Sequence, residues 1–250
     1  LLKIFLFTKV MQALILTKPS DTQYHGLQLQ HVVIPKPQPG QVVVQVVACA
    51  LNRRDEWIRQ GLYPRIQVGS IMGSDAVGVV TAPLTSSLHG KRVVVCPCQG
   101  WLEHKRAPER PDAFHILGML PAPGTFAEYV CVDEHDVVEC PAHLTDAQAA
   151  GLPLAGLTAY RAVFTKGDVT SEDTILVTGI GGGVALAAFR LCLAIGAQVF
   201  VTSSSSSKIQ WAMEQGAAGG VNYTHTDWPT QLRRMLTRPL THIIDGAGGE

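Results

Sequence analysis

The sequence predicts an α/β protein of two domains, a rolled, barrel-like β domain followed by a doubly wound parallel sheet. Three observations predict it. Residues 12–141 carry short Val- and Ile-rich runs separated by Pro, Gly and Ser, the pattern of short strands joined by turns. From His143 onward, short apolar runs alternate with helix-like segments, the pattern of parallel strands buried on both faces. Between the first of those strands and its helix stands the glycine-rich "TGIGGG", residues 178–183. The expected boundaries are 11–143 for the β domain and 144–250 for the parallel sheet, with residues 1–10 an extension ahead of the fold.

Each element has its own reason. "QALILT", "LQLQHVVIP", "QVVVQVVACA", "AVGVVTA", "KRVVVCP" and "FAEYVCV" are the strands of the first domain, and "RRDEWIRQG" is a helical insert ending on Gly61. Thr145 and Gln148 have capping-box spacing, which starts a helix by satisfying its exposed backbone donors. A second helical segment carries Leu157, Tyr160, Ala162 and Val163, and Gly167 is expected to stop it in a left-handed conformation. "TILVTG", "QVFVT", "GGVNY" and "THIIDGAGG" then read as strands, with "VALAAFRLCLAIGA", "SKIQWAMEQGA" and "WPTQLRRMLT" as the helices between them.

Composition removes several function classes. The 20 basic and 20 acidic side chains give a formal net charge of zero, which leaves no electrostatic attraction to nucleic acid or an anionic membrane. No apolar run approaches the ~20 residues of a membrane span. "LLKIFLFTKV" is a poor match to a secretory signal and to a mitochondrial presequence; the cytoplasm is the expected compartment, with the mitochondrion as the alternative. The six cysteines contain no CxxC pair and are expected as buried, reduced thiols. No G-x-S-x-G elbow, H-E-x-x-H or P-loop occurs, which disfavours the common hydrolase and kinase chemistries.

The glycine turn carries the first positive signal. Glycines there let the backbone approach a pyrophosphate, whose charge the free N–H groups of the helix start then hold. The spacing is G-x-x-G-x-x-A, with Gly179, Gly182 and Ala185; Gly183 and Val184 follow in the turn, Val184 at the place of the usual third glycine. About 20 residues beyond the first glycine, an NAD site places an acid against the ribose 2′-hydroxyl. That place falls at or near Ser203, and no acid lies between Gln198 and Lys208. Ser203, Ser204 and Lys208 are therefore either a pocket for the 2′-phosphate of NADP or a helix start beside a solvated lysine. Tyr223 either packs beside the adenine or is a structural tyrosine.

Taken together, "NRRDEWIRQGLYP", "MGSDAVGVV", "GTFAEYV", "LPLAGLTAYRA", "VTGIGGGVA" and "NY" resemble the medium-chain dehydrogenase/reductase superfamily, over residues 12–250. The similarity is to its zinc-free quinone-oxidoreductase-like and zinc-type alcohol dehydrogenase-like members, of the enoyl-reductase-domain type. The resemblance implies a GroES-like β-barrel domain and a Rossmann domain, with cofactor and substrate in a cleft between them. It implies Asn52 near the nicotinamide, with Trp57 and Tyr63 on the substrate side. An indole donates a hydrogen bond but transfers no proton, which puts an acid role at Trp57 in doubt. Tyr63 either polarises the acceptor oxygen or is a core aromatic, and Thr158 either lines the cofactor cleft or packs a helix. Asp55 is expected to pair with Arg53 or Arg59.

Where metal-dependent relatives carry a ligating cysteine, this sequence has Asn52, and where they carry "GHE" it has Gly73, Ser74 and Asp75. Asn and Ser are poor zinc ligands, and Cys96, Cys98, His104 and His115 match no zinc spacing, so no metal is expected. Family members are typically longer. The sequence therefore reads as a C-terminally truncated fragment with an incomplete Rossmann sheet, weakly stable and weakly active, from a protein that is a homodimer at full length. The expected function is NADP(H)-dependent, zinc-independent hydride transfer to a small electrophile: a quinone, an α,β-unsaturated carbonyl or a simple carbonyl. Two alternatives stand beside it, a non-catalytic NADP-binding structural or regulatory protein and an NAD-dependent alcohol dehydrogenase.

Overall fold

The computed structural model describes residues 9–18, 26–101, 103–104 and 106–246. They form two compact units divided between Leu154 and Ala155. The expectation for residues 1–8 lies outside the described residues, as does residues 247–250 of the last expected strand.

The first unit opens with β1 (Val10–Thr17) and β2 (Gly26–Val33), an antiparallel pair in which Val10 faces Val33. Lys9 carbonyl accepts from Ile34 N–H, so Lys9 and Val10 belong to the fold and not to an extension. β3 (Gln41–Ala50), β4 (Asp75–Ala82), β5 (Arg92–Val95), β8 (Tyr129–Asp133) and β9 (Val137–Glu139) form a five-stranded antiparallel sheet in the order β8-β3-β4-β5-β9. The short β6 (Cys98–Gln99) and β7 (His115–Ile116) pair with each other. Helix α1 (Arg53–Arg59) lies between β3 and β4, and Gly61 after it takes φ +76°. Val42, Val44, Ala76, Val80, Val93, Val95, Val130 and Val132 fill the inner face of the sheet, the period-2 pattern of a strand with one face in the core. Helix α2 (Asp146–Ala150) starts at Thr145, whose hydroxyl accepts from Gln148 N–H while Gln148 Oε1 accepts from Thr145 N–H.

The unit boundary falls within α3 (Pro153–Tyr160), which continues as a π-helical turn over Arg161–Lys166. The stop differs from the expectation. Gly167 has φ −82°, and the left-handed residue is Asp168, at φ +49°. A Cβ at residue 167 would stand 2.8 Å from Ala162 O and 2.9 Å from Val163 O, so the glycine serves the wide π-turn through close approach.

The second unit alternates β10 (Thr174–Val177), α4 (Gly183–Ala194), β11 (Gln198–Ser203), α5 (Ser206–Glu214), β12 (Gly219–Asn222), α6 (Trp228–Met235) and β13 (His242–Ile244). All pairings are parallel, in the order β12-β11-β10-β13. The chain thus runs outward from β10 through β11 to β12 and then returns to β10's other side. That reversal is the switch point at which open α/β sheets bind ligands, outside the carboxyl ends of the strands. Phe189, Cys192, Ile175, Val177, Val199 and Val201 are fully buried between α4 and the sheet. All six cysteines are free thiols, but only Cys192 is buried; Cys49 is exposed and the others are half-buried.

Candidate functional site

In the second unit the glycine turn connects β10 to α4. Gly179 takes φ +62°, a left-handed conformation that a side chain would strain. Its N–H donates to Thr202 Oγ1 at 3.1 Å, and Ile180 N–H donates to Thr202 O, which ties the turn to the end of β11. Gly182 is the N-cap of α4, and Gly183 opens the helix with its Cα against Ala155. Val184 is half-buried against the core of this unit.

Ser203, the last residue of β11, is 95% buried in the sense that 5% of its surface remains exposed, and its Oγ accepts from Ser205 N–H. Ser204 is exposed. Ser205 caps α5, its Oγ accepting from Lys208 N–H. Asn222 fastens the ends of β11 and β12 by donating to Ser204 O and accepting from Thr224 N–H. Tyr223 is half-exposed beside them, its N–H on Ser203 O. The exposed Lys208 folds back over the glycine turn: its Nζ lies 2.6 Å from where a Cβ on residue 181 would stand. Neither α4 nor α5 carries an acid in its first turn. Two helix N-termini and an ammonium therefore combine their positive potential, an arrangement that attracts an anion. Thr158 is exposed on α3.

In the first unit, folding assembles a polar network around the start of α1. Asn52 Nδ2 donates to Asp75 Oδ2 at 2.9 Å, and Asp75 Oδ1 accepts from Leu154 N–H at 2.8 Å. Arg54 donates through Nη1 to Ser74 Oγ and to Leu117 O, both at 2.9 Å, and through Nε to Tyr63 Oη at 3.2 Å. Ser74 and Asp75 are fully buried, Tyr63 packs against the apolar cluster that contains Ile58, Met72 and Phe126, and Trp57 is 40% exposed. Burial pushes the Asp75 carboxyl up to about 6, against the opposing pull of its Asn52 and Leu154 donors. Asp55 pairs with neither Arg53 nor Arg59. Its Oδ2 accepts from Asn52 N–H as the N3 carboxylate of α1, while Arg59 pairs with Glu56. Burial raises the pKa of Asp55, whose Oδ1 has no hydrogen-bond partner among the described residues.

Asn52 and Tyr63 thus meet around the start of α1, Trp57 stands further along the same helix and outside this network, and Gly179, Gly182, Gly183, Ser203, Ser204, Lys208 and Tyr223 gather at one end of the parallel sheet. Sequence reasoning passed over Arg54, Thr202 and Asn222. Thr202 and Asn222 sit at strand ends, a place where polar side chains are readable candidates; Arg54 carried no signal beyond its place two residues after Asn52.

Residues 38–142 match the alcohol dehydrogenase GroES-like domain, and residues 183–250 match the zinc-binding dehydrogenase domain. The zinc-type alcohol dehydrogenase-like protein YogA of Leptosphaeria maculans is 40% identical over 241 residues, which are 90% of this chain and 67% of that protein. The chain belongs to the medium-chain dehydrogenase/reductase superfamily. Its curled antiparallel sheet is the GroES-like part of that fold, and its parallel sheet is the Rossmann part. Among solved members of the superfamily, an NAD-dependent alcohol dehydrogenase is 33% identical at a TM-score of 0.78, covering 90% of this chain and 67% of its own. Human quinone oxidoreductase is 25% identical over 214 residues, 85% of this chain and 59% of that protein. The chain thus spans between 59% and 67% of these relatives' lengths. The superfamily comprises nucleotide-dependent oxidoreductases. Among the described residues no helix is long and apolar enough to cross a membrane.

Proposed function

We propose that this chain belongs to an NADPH-dependent, zinc-independent reductase of small electrophiles: quinones, α,β-unsaturated carbonyls or simple carbonyls. One observation carries the reading. The carboxyl end of β11 holds Ser203 and Ser204 where an acid would select NAD, and Lys208, in the first turn of the helix that follows, extends its ammonium over the adjoining glycine turn. An added 2′-phosphate is repelled by an acid and attracted by this arrangement. Gly179, Gly182 and Gly183 hold the pyrophosphate against the start of α4, with Val184 and Thr158 beside them and Tyr223 against the adenine.

The donor set at Asn52, Ser74 and Asp75 does not fit Zn²⁺. It contains one carboxylate and no thiolate or imidazole, the amide and hydroxyl are already hydrogen-bonded, and the guanidinium of Arg54 touches Ser74. Burial pushes the Cys98 thiol up to about 12 and raises Cys96 as well, which keeps both as neutral thiols. Among the described residues the one clustered set of metal-binding side chains is Asp133, His135 and Asp136, none of them in this network.

NADPH, when bound, supplies the hydride. The chain's own part is to hold and polarise the acceptor. Tyr63 Oη already accepts from Arg54 Nε, so its O–H is left to donate to an acceptor oxygen. Asn52 is held by Asp75, and Trp57 presents an apolar wall. The protein at full length is proposed to act as a cytoplasmic homodimer.

Titration of NADPH against NADH tests the reading. Wild type is expected to prefer NADPH by about tenfold or more, with Ser204→Asp reversing the preference. A preference for NADH that Ser204→Asp leaves unchanged would instead support the reading suggested by the similar NAD-dependent alcohol dehydrogenase. Tight NADPH binding with no oxidation by a quinone or an enal would favour a non-catalytic nucleotide-binding protein.

A further inference from the structure

We infer that Asp133, His135 and Asp136 form a binding site for a divalent transition ion, typified by Zn²⁺, which clamps the turn between β8 and β9. Ligand atoms of these three side chains all lie within 4.8 Å of one another. Acidic clusters on a surface are ordinary; Asp136 makes this one different. It is only 4% exposed, and its Oδ2 is buried with no hydrogen-bond partner among the described residues. A buried carboxylate oxygen normally accepts a hydrogen bond, because leaving it bare forfeits its hydration without replacement. His135 Nε2 faces this atom at 3.6 Å, too far for a hydrogen bond, and pairs with it only when the imidazole is protonated. One metal ion between them satisfies both atoms.

The backbone already holds these side chains in place. Asp133 ends β8, and Glu134–Asp136 form a single 3₁₀ turn that leads into β9. Glu134 N–H donates to Gly40 O, Cys96 N–H donates to Asp136 O, and Ser86 Oγ donates to Glu134 Oε1. Asp133 Oδ1 accepts from Gln41 Nε2 at 3.1 Å, the kind of outer hydrogen bond that orients a ligating carboxylate. β8 and β9 are the two edges of the five-stranded sheet, so this turn runs from one edge to the other. An ion held across it therefore ties the edges of the curled sheet together. Ligands about 2.1 Å from a tetrahedral ion stand about 3.4 Å apart, so the 3.6 Å pair is nearly in position. Asp133 is half-buried and His135 half-exposed, which leaves both free to close the remaining distance. Two carboxylates balance the charge of a dication, and water takes the fourth position. The imidazole selects the ion, since it suits Zn²⁺ and its neighbours, whereas Mg²⁺ and Ca²⁺ take oxygen ligands. The site shares no residue with Asn52, Ser74 and Asp75, and the proposed reduction does not run through it.

Calorimetric titration of the whole chain, stripped of metal by a chelator, tests the inference. Zn²⁺ is expected to bind as one strong equivalent, at least about tenfold tighter than Mg²⁺ or Ca²⁺. At a hundredfold excess over Kd it is expected to raise the thermal midpoint by about 5 °C. His135→Gln and the isosteric Asp136→Asn are each expected to weaken Zn²⁺ by about tenfold or more, the size of loss that even an outer-shell change produces. His135 is half-exposed, so its variant is expected to keep the metal-free midpoint and to read binding apart from folding. Co²⁺ in place of Zn²⁺ identifies the donors: visible d–d absorption is expected without the ultraviolet band of a cobalt–thiolate bond. That ultraviolet band would place the ion on cysteine and overturn the assignment. The absence of a strong Zn²⁺ equivalent, equal affinity for Mg²⁺, or binding that neither variant weakens would overturn it too. So would a loss in His135→Gln with none in Asp136→Asn, because the ion would then sit on a surface imidazole and not against the buried carboxylate.

Discussion

Asp75 shows how a single residue acquires a property its neighbours in sequence do not confer. It opens β4 and is fully buried; Asn52, 23 residues earlier, and Leu154, 79 residues later, supply its two hydrogen bonds. Those donors favour the charged carboxylate, but burial outweighs them and raises the carboxyl to about 6. An acid whose native pKa lies above its unfolded value binds the extra proton in the native state. Its contribution to stability is therefore full below about pH 4 and is lost as the pH rises through about 6. Asp136, also raised to about 6 by burial, titrates in the same window, so the wild type carries both slopes. Asp75→Asn removes one of them. Urea unfolding at pH 5 and pH 7 is expected to show the variant gaining about 1 kcal/mol relative to wild type between the two values. A difference that stays constant with pH would mean that Asp75 does not hold its proton in the folded state. The sequence matched Asp75 only to the glutamate of the relatives' "GHE" and left this unread, because desolvation depends on what covers the residue.

Among the elements, β3 and β4 show what a sequence pattern conveys and where it stops. Their Val-rich alternation marked them as strands, and β3 runs over the same Gln41–Ala50 as its sequence pattern. Gly78 within β4 is another matter. A Cβ there would stand 2.1 Å from Gln45 O and 2.7 Å from Val44 Cγ1, where the register between the strands shifts. Gly78→Ala, at an ordinary φ, is expected to cost about 2–3 kcal/mol by overpacking, read as a lower urea midpoint. A loss below about 0.5 kcal/mol would show that β3 yields freely at this point. The strands β6, β7 and β9 have only two or three residues each, too few for a period to appear, and pairing partners alone define them. The helix stop was misplaced for a related reason: a glycine after a helix signals a left-handed residue only when the helix ends regularly, and this one ends in a π-turn.

At the scale of the whole molecule, ligand binding gives the two units different expected behaviour. If NADPH binds at the end of the parallel sheet, hydrogen exchange should slow in the turn after β10, at the start of α4 and at the end of β11. At a hundredfold excess over Kd the stabilisation is about 2.7 kcal/mol. The interior of the β3-β4-β5 sheet should exchange at an unchanged rate by local opening. Protection confined to that sheet would contradict the placement of the nucleotide. The sequence by itself determined the fold class, the strand-turn-helix context of the glycines and the lack of an acid after β11. Each is local: it needs only periodicity, a turn, or a count of residues along one strand. The tertiary structure alone decided that Arg54 reaches Ser74, Leu117 and Tyr63, that Asp75 is buried, and that Lys208 lies over Gly181. Those contacts join residues 9 to 63 positions apart, and their direction follows from side-chain packing in three dimensions, which no spacing along the chain encodes.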